Sequence, residues 1–200
     1  MLCIDANFDV FNTRAVVSYD EYALRDGQLT DIHIDFANNM LRLQYGHISG
    51  LDTPLLCQTR TGFSPASKLS SVVQIHHFDG HWITSFRAAN NDAVYVYDSL
   101  SSRSIAPELI RQLRQLYTTG GEKLAVHCPS VTQQTNGSDC GVFAIAFAID
   151  LCAGYDPSLR EYDRRELRPH IIRCFRNSLL EQFPTVGERT QHTNSFYITQ

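Results

Sequence analysis

The sequence lacks a cysteine framework, a long apolar run and an excess of basic residues. Its six cysteines include no C-x-x-C pair, and their wide spacing excludes a zinc ribbon and a small disulfide scaffold. No apolar stretch approaches the roughly 20 residues that a membrane-spanning helix needs. A net charge of −4 argues against broad binding to nucleic acid or anionic membranes, which would require a basic surface. We therefore expect no cofactor, no nucleic-acid partner and no membrane partner.

The first residues and the cysteine usage bear on the expected location of the protein. Residues 1–5 do not combine a basic start with a following apolar segment, so we expect no secretory signal peptide. Reduced cysteines suit an intracellular protein, and the absence of a basic targeting cluster leaves nucleus and cytoplasm equally open. What the chain has in quantity is apolar material, with 43% hydrophobic residues among 200. We expect a single domain over residues 1–200, ending in a polar, loosely ordered tail at 187–200.

Hydrophobic periodicity predicts an α+β fold, with a mostly antiparallel central sheet flanked by helices. Strand-like alternation and β-branched or aromatic composition mark four segments: 72–78, 81–86, 93–97 and 124–128. Helical periodicity marks four others: 30–45, a segment opened by Pro107, a segment begun at Cys140, and about 164–183, the last bent or broken at Pro169.

The most informative stretch is Asn136–Gly141, which precedes the apolar run Val142–Ile149. Polar turn formers followed by eight apolar residues predict a loop that leads into the N-terminus of a buried helix. Cys140 would then lie beside unpaired backbone N–H groups and the positive end of the helix dipole, which both favour a thiolate. Taken alone, Cys140 fits a buried structural cysteine better than a nucleophile.

Two upstream residues supply what a thiol nucleophile needs. His81 begins one predicted strand, and Asp98 follows the end of the next. If these strands pair antiparallel, the start of one and the end of the other meet at the same edge of the sheet. A base, a carboxylate that orients it and the nucleophile Cys140 together indicate a cysteine hydrolase. Alone, His81 would be an ordinary strand histidine and Asp98 a turn residue.

A metal site is the alternative use of the nearby histidines. His76 and His77 are adjacent in a predicted strand, so alternation directs them to opposite faces. No pair among His76, His77, His81 and Cys128 has the spacing of a known zinc site. We therefore predict that no metal ion is bound.

The order of these motifs resembles that of a known family. Gly80–Trp82, Tyr97–Ser99 and Gln133–Gly141 follow one another as His-Trp, Asp, Gln and Asn-Gly-Ser-Asp-Cys-Gly. The chain resembles the ubiquitin-like-protein-specific cysteine proteases, which process SUMO and NEDD8 and are related to the adenovirus endopeptidase. The resemblance covers about residues 29–184, and it implies a cysteine-protease-like catalytic domain with its nucleophile at the N-terminus of a buried helix.

The resemblance implies a role for each motif residue. Cys140 would attack the carbonyl that follows a C-terminal glycine, and His81 would take the thiol proton and pass it to the leaving amine. Asp98 would fix the imidazole tautomer. Gln134 would offer its side-chain amide to the oxyanion, beside the Cys140 backbone N–H.

The resemblance also implies a substrate surface. Trp82 would cover a narrow tunnel that admits a Gly-Gly tail. Asp31, in the segment Leu29-Thr30-Asp31, would meet a basic residue of the partner, although it fits a helix N-cap equally well. Gln28 stands where the family has a tryptophan, so half of the aromatic clamp is expected to be missing.

These residues together predict a thiol-dependent protease or isopeptidase. It would cleave after the C-terminal glycine of a ubiquitin-like modifier such as SUMO, NEDD8 or ubiquitin, in a precursor or in a conjugate. Two alternatives stay open: a catalytically silent module that binds ubiquitin-like proteins, and an acetyltransferase that uses the same triad. The sequence does not distinguish the modifier, maturation from deconjugation, a whole protein from an excised domain, or the oligomeric state.

Overall fold

The computed structural model describes residues 21–59, 62–100, 105–118 and 123–198; residues 1–5, considered above, lie outside these ranges. Five α-helices lie in this part of the chain: α1 (Glu21–Arg25), α2 (Asp31–Gln44), α3 (Pro107–Tyr117), α4 (Cys140–Cys152) and α5 (Leu167–Asn177). Eight strands accompany them: β1 (Ser49–Gly50), β2 (Val72–Phe78), β3 (His81–Arg87), β4 (Ala93–Tyr97), β5 (Leu124–Pro129), β6 (Arg160–Tyr162), β7 (Thr185–Glu188) and β8 (Thr193–Ile198). Short 3₁₀ turns occupy Pro54–Gln58 and Pro157–Leu159.

Six of these strands form the central sheet in the order β1-β2-β3-β4-β5-β8. The pairs β2–β3, β3–β4 and β5–β8 are antiparallel, whereas β1–β2 and β4–β5 are parallel. The predicted mixed fold with a mostly antiparallel sheet is therefore confirmed. The four predicted strands lie within one residue of their expected bounds, and α2 and α4 begin where the sequence placed them.

Helices cover both faces of the sheet. Side chains alternate along β2, so that Val73 joins the apolar cluster around α4 and Val72 joins the cluster around α3. All of α4 is buried, between β2 and β3 on one side and α2 and α5 on the other. The Thr84 hydroxyl in β3 donates a 2.8 Å hydrogen bond to the Ala144 carbonyl of α4. This packing fixes the start of α4 relative to the β3 edge.

The last predicted helix is shorter than expected. It runs over Leu167–Asn177, and Pro169 lies in its first turn, where no intrahelical N–H bond is required, so the helix is not broken there. Ser178 ends it in a left-handed conformation with φ of 51°. Leu180 and Phe183 are buried beyond that end, in a non-helical segment. Their apolar side chains happen to continue the spacing of a helix, which is why the sequence predicted a longer one.

The prediction of a loosely ordered tail over 187–200 is wrong for the described residues, which extend to Ile198. Strand β8 pairs with β5 from Leu124↔Ile198 to Pro129↔Thr193 and forms one edge of the central sheet. Strand β7 pairs with β6. The side chains of both strands are mostly exposed, so their composition is polar, whereas the backbone hydrogen bonds that order them do not depend on side-chain type. Residues 199–200 lie outside the described ranges.

Among the described helices, none has the length and apolar character needed to cross a membrane.

Candidate active site

Cys140 is the first residue of α4 and is 1% exposed. The turn before it is closed by Asn136, whose side-chain oxygen accepts hydrogen bonds from the backbone N–H groups of Ser138 and Asp139, each at 3.0 Å. This local turn explains why the helix begins at the cysteine. The thiol therefore lies at the positive end of a buried 13-residue helix.

His81 owes its position to a tight hairpin. Asp79 and Gly80 both have left-handed backbone conformations, with φ of 49° and 72°, and they connect β2 to β3 through a two-residue turn. His81 is the first residue of β3, and Asp98 directly follows β4, its antiparallel partner. The structure brings the two side chains together, with His81 Nε2 2.7 Å from Asp98 Oδ1.

The other ring nitrogen of His81 is hydrogen-bonded to the Cys140 thiol. Because Nε2 contacts Asp98, Nδ1 is the atom left for the side-chain hydrogen bond between His81 and Cys140. Asp98 Oδ1 also accepts the Leu100 backbone N–H at 2.8 Å, which holds the carboxylate in place. Cys140, His81 and Asp98 thus form a continuous chain from thiol to carboxylate.

The His81 imidazole is strongly basic in this setting. Burial alone would lower its pKa, but hydrogen bonds to Asp98 and Cys140, and the negative charge on both partners, outweigh that effect. Together they raise the pKa of His81 from 6.5 to about 9. At neutral pH the imidazolium is therefore favoured, and it can stabilise a neighbouring thiolate as an ion pair.

Gln134 is buried, with 7% exposure, and it is hydrogen-bonded to Ser99, the residue after Asp98. Its side-chain oxygen accepts a 2.6 Å hydrogen bond from the Ser99 hydroxyl, and its Nε2 donates to the Asn136 carbonyl at 2.6 Å. The Gln134 backbone N–H also donates to the Ser99 carbonyl. Ser99 therefore fixes the Gln134 amide, a role that the sequence analysis did not identify. An amide nitrogen carries two N–H groups, so the Asn136 contact uses half of its donor capacity.

Trp82 is 5% exposed and packs beside the nucleophile. Its indole N–H donates to the Leu29 carbonyl at 2.9 Å, and its ring centroid lies 4.3 Å from that of His77. A Cβ atom added at Gly141 would lie 2.8 Å from Leu29 Cβ and 3.2 Å from Trp82 Cδ1. Leu29 and Trp82 thus pack directly against the residue that follows Cys140, and only glycine fits there.

Gln28 and Asp31 lie within two residues of Leu29 in the sequence. Asp31 is the first residue of α2 and is partly exposed, whereas the N-cap position belongs to Thr30, so the N-cap interpretation of Asp31 is wrong. Gln28 reaches the loop before the nucleophile, where its Nε2 donates to the Gly137 carbonyl at 3.0 Å. Gln28, which the resemblance places where the family has a tryptophan, therefore makes an exposed hydrogen bond to the nucleophile loop.

The structure adds a charged residue that the sequence analysis missed. The Arg168 Nε atom lies 2.7 Å from Asp139 Oδ1, immediately before the nucleophile. The two residues are 29 positions apart and no local pattern connects them, so no sequence signal could have paired them. Within the described ranges, no group of three or more His, Cys, Asp or Glu side chains is arranged to hold a metal ion.

A known protein family matches the part of the chain that contains the proposed nucleophile, base and carboxylate. The model of the Ulp1 protease family, C-terminal catalytic domain, matches residues 71–174, which is more than half of the 200. The chain belongs to the Ulp1 protease family. The matched range includes His81, Asp98, Gln134 and Cys140, whereas Asp31 lies outside it. As a member of this family, the protein is a thiol-dependent protease.

Solved structures of Ulp1-type proteases share the fold. The SUMO protease Ulp1 with its catalytic cysteine oxidised to a sulfinic acid superposes with a TM-score of 0.63 at 14% identity, covering 84% of this chain and 94% of that one. The C-terminal Ulp1 protease domain in complex with Smt3, the yeast ortholog of SUMO, gives 0.61 at 14% identity and covers 80% and 82%. The Ulp1-like SUMO protease catalytic domain of Chaetomium thermophilum gives 0.52 at 20% identity and covers 77% and 74%. No curated protein sequence matches the chain. Because these identities are low, the structural likeness shows that this chain has the same fold, and no more than that.

Proposed function

We propose that this protein is a single-domain protease or isopeptidase that cleaves after the C-terminal glycine of a ubiquitin-like modifier. The observation that carries the proposal is the chain from Cys140 through His81 to Asp98 at the N-terminus of α4, with its 2.7 Å histidine–carboxylate contact. This arrangement supplies a nucleophile, a base and an orienting carboxylate in one place.

The reaction proceeds through a thioester. Transfer of the Cys140 thiol proton to His81 Nδ1 comes first and gives a thiolate–imidazolium pair, whose Sγ atom then attacks the glycine carbonyl to form a tetrahedral oxyanion. Collapse of this intermediate breaks the carbon–nitrogen bond, and His81 gives its proton to the departing amine. Water then attacks the thioester as His81 removes one of its protons, and the collapse releases the modifier acid and the Cys140 thiol. Asp98 keeps the ring oriented throughout and stabilises the imidazolium.

Gln134 and the Cys140 backbone are the proposed oxyanion donors. The Cys140 N–H lies in the first turn of α4, where backbone donors have no intrahelical partner. The Gln134 amide is held by Ser99, and the N–H that does not contact Asn136 is the one assigned to the oxyanion. Donors fixed before the substrate arrives need no reorganisation in the transition state, and losing one typically costs roughly 10²–10³ in rate.

The surface around the nucleophile supports the proposed substrate class. Trp82 and Leu29 form a tightly packed wall on Gly141, next to the thiol, which favours a tail without side chains. We assign SUMO as the first candidate modifier, supported by the fold shared with a protease domain in complex with Smt3. NEDD8 and ubiquitin are the next candidates. Asp31, partly exposed near this wall, is assigned to a basic residue of the modifier.

The test uses SUMO, NEDD8 and ubiquitin probes that carry a thiol-reactive C-terminus. We expect one probe to form a covalent adduct with the wild-type protein and none to react with Cys140→Ala. Cleavage of the matching precursor and of a lysine-linked conjugate then separates maturation from deconjugation. A protein that binds a modifier but forms no adduct would contradict the proposal in favour of a silent binding module, and acetyl transfer to lysine without cleavage would contradict it in favour of an acetyltransferase.

A further inference from the structure

Arg168 uses every hydrogen-bond donor of its guanidinium. Its Nε donates to Asp139 Oδ1 at 2.7 Å, and its Nη1 donates to the carbonyls of Ala23 and Leu24 at 2.7 and 3.1 Å. Its Nη2 donates to the carbonyls of Gly27 and Ser138 at 2.7 and 3.0 Å. An arginine has five N–H donors in a fixed planar fork, and here all five have partners.

These partners belong to two separate parts of the active site. Ala23, Leu24 and Gly27 lie at the end of α1 and just beyond it, and they lead into Leu29, which packs on Gly141 and accepts the Trp82 indole N–H. Ser138 and Asp139 precede the nucleophile. In sequence the two parts are more than 100 residues apart. In space a single side chain on a third element, largely but not fully buried, connects them.

The burial of this contact makes it more than a surface ion pair. The Arg168 and Asp139 side chains are 13% and 11% exposed. The second carboxylate oxygen of Asp139 accepts a hydrogen bond from the Asn136 amide at 2.8 Å, so both oxygens have partners. Without the arginine, the Asp139 carboxylate would remain largely buried with its strongest partner gone.

We propose that Arg168 is a positioning residue for the protease reaction. It holds the segment Gly27–Leu29, which carries the Leu29 part of the wall, at a fixed distance from the nucleophile loop (Asn136–Asp139). The scissile carbonyl is placed by the wall, and the thiol that attacks it is placed by the loop. A misplacement of about 1 Å between two reacting groups can cost roughly 100-fold in rate. The clamp serves the thiol protease reaction whichever modifier is the substrate, so it goes beyond the proposed function.

Lysine cannot replace this arginine. A lysine ammonium has three donors around a single nitrogen, whereas the five acceptors here are distributed around a planar fork. We expect Arg168→Lys to retain the contact with Asp139 and to lose most of the hydrogen bonds to backbone carbonyls. Arg168→Met removes all five hydrogen bonds while keeping most of the aliphatic length of the side chain.

The test compares two reactions of Cys140 in the same variants. The first is single-turnover cleavage, at saturating concentration, of a fluorogenic peptide amide that ends in Gly-Gly. The second is alkylation by iodoacetamide, measured at Cys140 by peptide mass spectrometry, which needs the thiol but no substrate wall. We expect Arg168→Met to slow cleavage by about 10- to 100-fold and to change the alkylation rate by less than about threefold. Arg168→Lys should give an intermediate loss of cleavage.

The matched control is Arg165→Met. Arg165 pairs with Asp163 through an 86% exposed side chain three residues earlier, so its removal should leave both reactions unchanged. Cleavage within about twofold of wild type in folded Arg168→Met would overturn the proposal. So would cleavage and alkylation that fall together in proportion to the folded fraction, since that is the signature of a structural role. If Arg168→Met does not fold, Arg168→Lys and the isosteric Asp139→Asn decide by the same two criteria.

A failure of the proposed function has a different signature. A wild-type protein that cleaves the peptide and reacts with none of the modifier probes would contradict the modifier assignment, and the comparison between Arg168 variants would still be decisive.

Discussion

His81 and Asp98 meet through Nε2 and Oδ1 at 2.7 Å, at the edge where β3 begins and β4 ends. This contact assigns the two ring nitrogens before any substrate binds: Nε2 faces the carboxylate and Nδ1 faces Cys140. A histidine held in this way cannot rotate without losing a charge-assisted hydrogen bond. The antiparallel hairpin is therefore part of the proposed catalytic machinery as well as of the fold.

Replacing Cys140, His81 or Asp98 should reduce turnover by at least about 100-fold without unfolding the protein. We expect no detectable cleavage from Cys140→Ala. His81→Ala and Asp98→Asn should lose roughly 10²- to 10⁴-fold, because proton transfer by a positioned base contributes about that much. Cleavage of the modifier that forms the probe adduct measures the effect, with circular dichroism as a check on the fold. Near-normal turnover in Cys140→Ala would contradict the mechanism.

Cys152 offers the matched cysteine control. It ends the same helix, and burial raises the pKa of its thiol to about 12, so it is not a nucleophile at neutral pH. Cys152→Ala should therefore retain turnover per folded molecule, although it loses some core packing. Loss of probe labelling in folded Cys152→Ala would argue against Cys140 as the sole reactive thiol.

The activity should decline on the alkaline side near pH 9. The reactive form contains protonated His81, whose pKa is raised to about 9 by its partners. A pH profile of kcat/KM should therefore show an alkaline limb near this value. Asp98→Asn removes one of the contacts that raise the pKa of His81. The alkaline limb in the pH profile of its residual activity should therefore move to lower pH. An alkaline limb at the same pH in wild type and Asp98→Asn would contradict this explanation.

Protonation of His81 also stabilises the folded protein over a defined pH range. The pKa of His81 is higher in the folded chain, about 9, than its ordinary 6.5, so folding strengthens proton binding. That stabilisation is fully present below about pH 6.5 and is lost as the pH rises towards 9. The difference in unfolding free energy between wild type and His81→Ala, from urea titrations, should shrink across this range. A difference that grows with pH would show the opposite sign and contradict the prediction.

Gly141 should tolerate no side chain. An added Cβ would lie 2.8 Å from Leu29 Cβ, and the neighbouring Trp82 leaves little room for movement. We expect Gly141→Ala to destabilise the protein by about 1–3 kcal/mol, as overpacking of a core usually does, and to displace the wall beside the thiol. Thermal unfolding and peptide cleavage measure the two effects.

Gly137→Ala is the control for this substitution. It lies four residues earlier, and no atom outside its immediate chain neighbours comes within 4 Å of its added Cβ. We expect it to retain both stability and activity. Equal losses in the two variants would show that backbone flexibility, and not the packing of Leu29 on Gly141, is responsible.

Gln28 should make the protein less selective for a Gly-Gly tail. Its side chain donates to the Gly137 carbonyl and offers no aromatic surface, so Trp82 is the one aromatic residue assigned to the wall. We expect Gln28→Trp to increase the preference for a Gly-Gly peptide over an Ala-Gly peptide. Gln28→Ala is the control, because it removes the hydrogen bond without adding a ring. An unchanged preference in Gln28→Trp would show that this position does not contribute to selectivity.

Much of this architecture follows from local patterns. The alternation in β2, β3 and β4 and the Asp79-Gly80 turn predict the hairpin, and the antiparallel pairing then brings His81 to Asp98. The polar turn before an apolar run predicts that Cys140 begins a buried helix. These features depend on neighbours within a few residues, so short-range chemistry determines them.

Other features depend on which distant segments meet. The polar composition of Thr193–Ile198 suggested a loose tail, yet this segment pairs with β5, because backbone hydrogen bonds require no apolar side chains. The helix predicted to Phe183 ends at Asn177, because buried residues in an extended segment can imitate helical spacing. In both cases tertiary contacts outweighed the local pattern.

The sequence by itself determined the chemistry: a nucleophile, a base and a carboxylate in the order of a known family, each on a predictable element. Only the tertiary structure decided how that chemistry is held together. Ser99 fixes Gln134, and Arg168 joins the segment before Leu29 to the loop before Cys140. These contacts join residues that are 29 or more positions apart. Their partners are mostly backbone carbonyls, which every residue carries and which therefore leave no trace in the sequence.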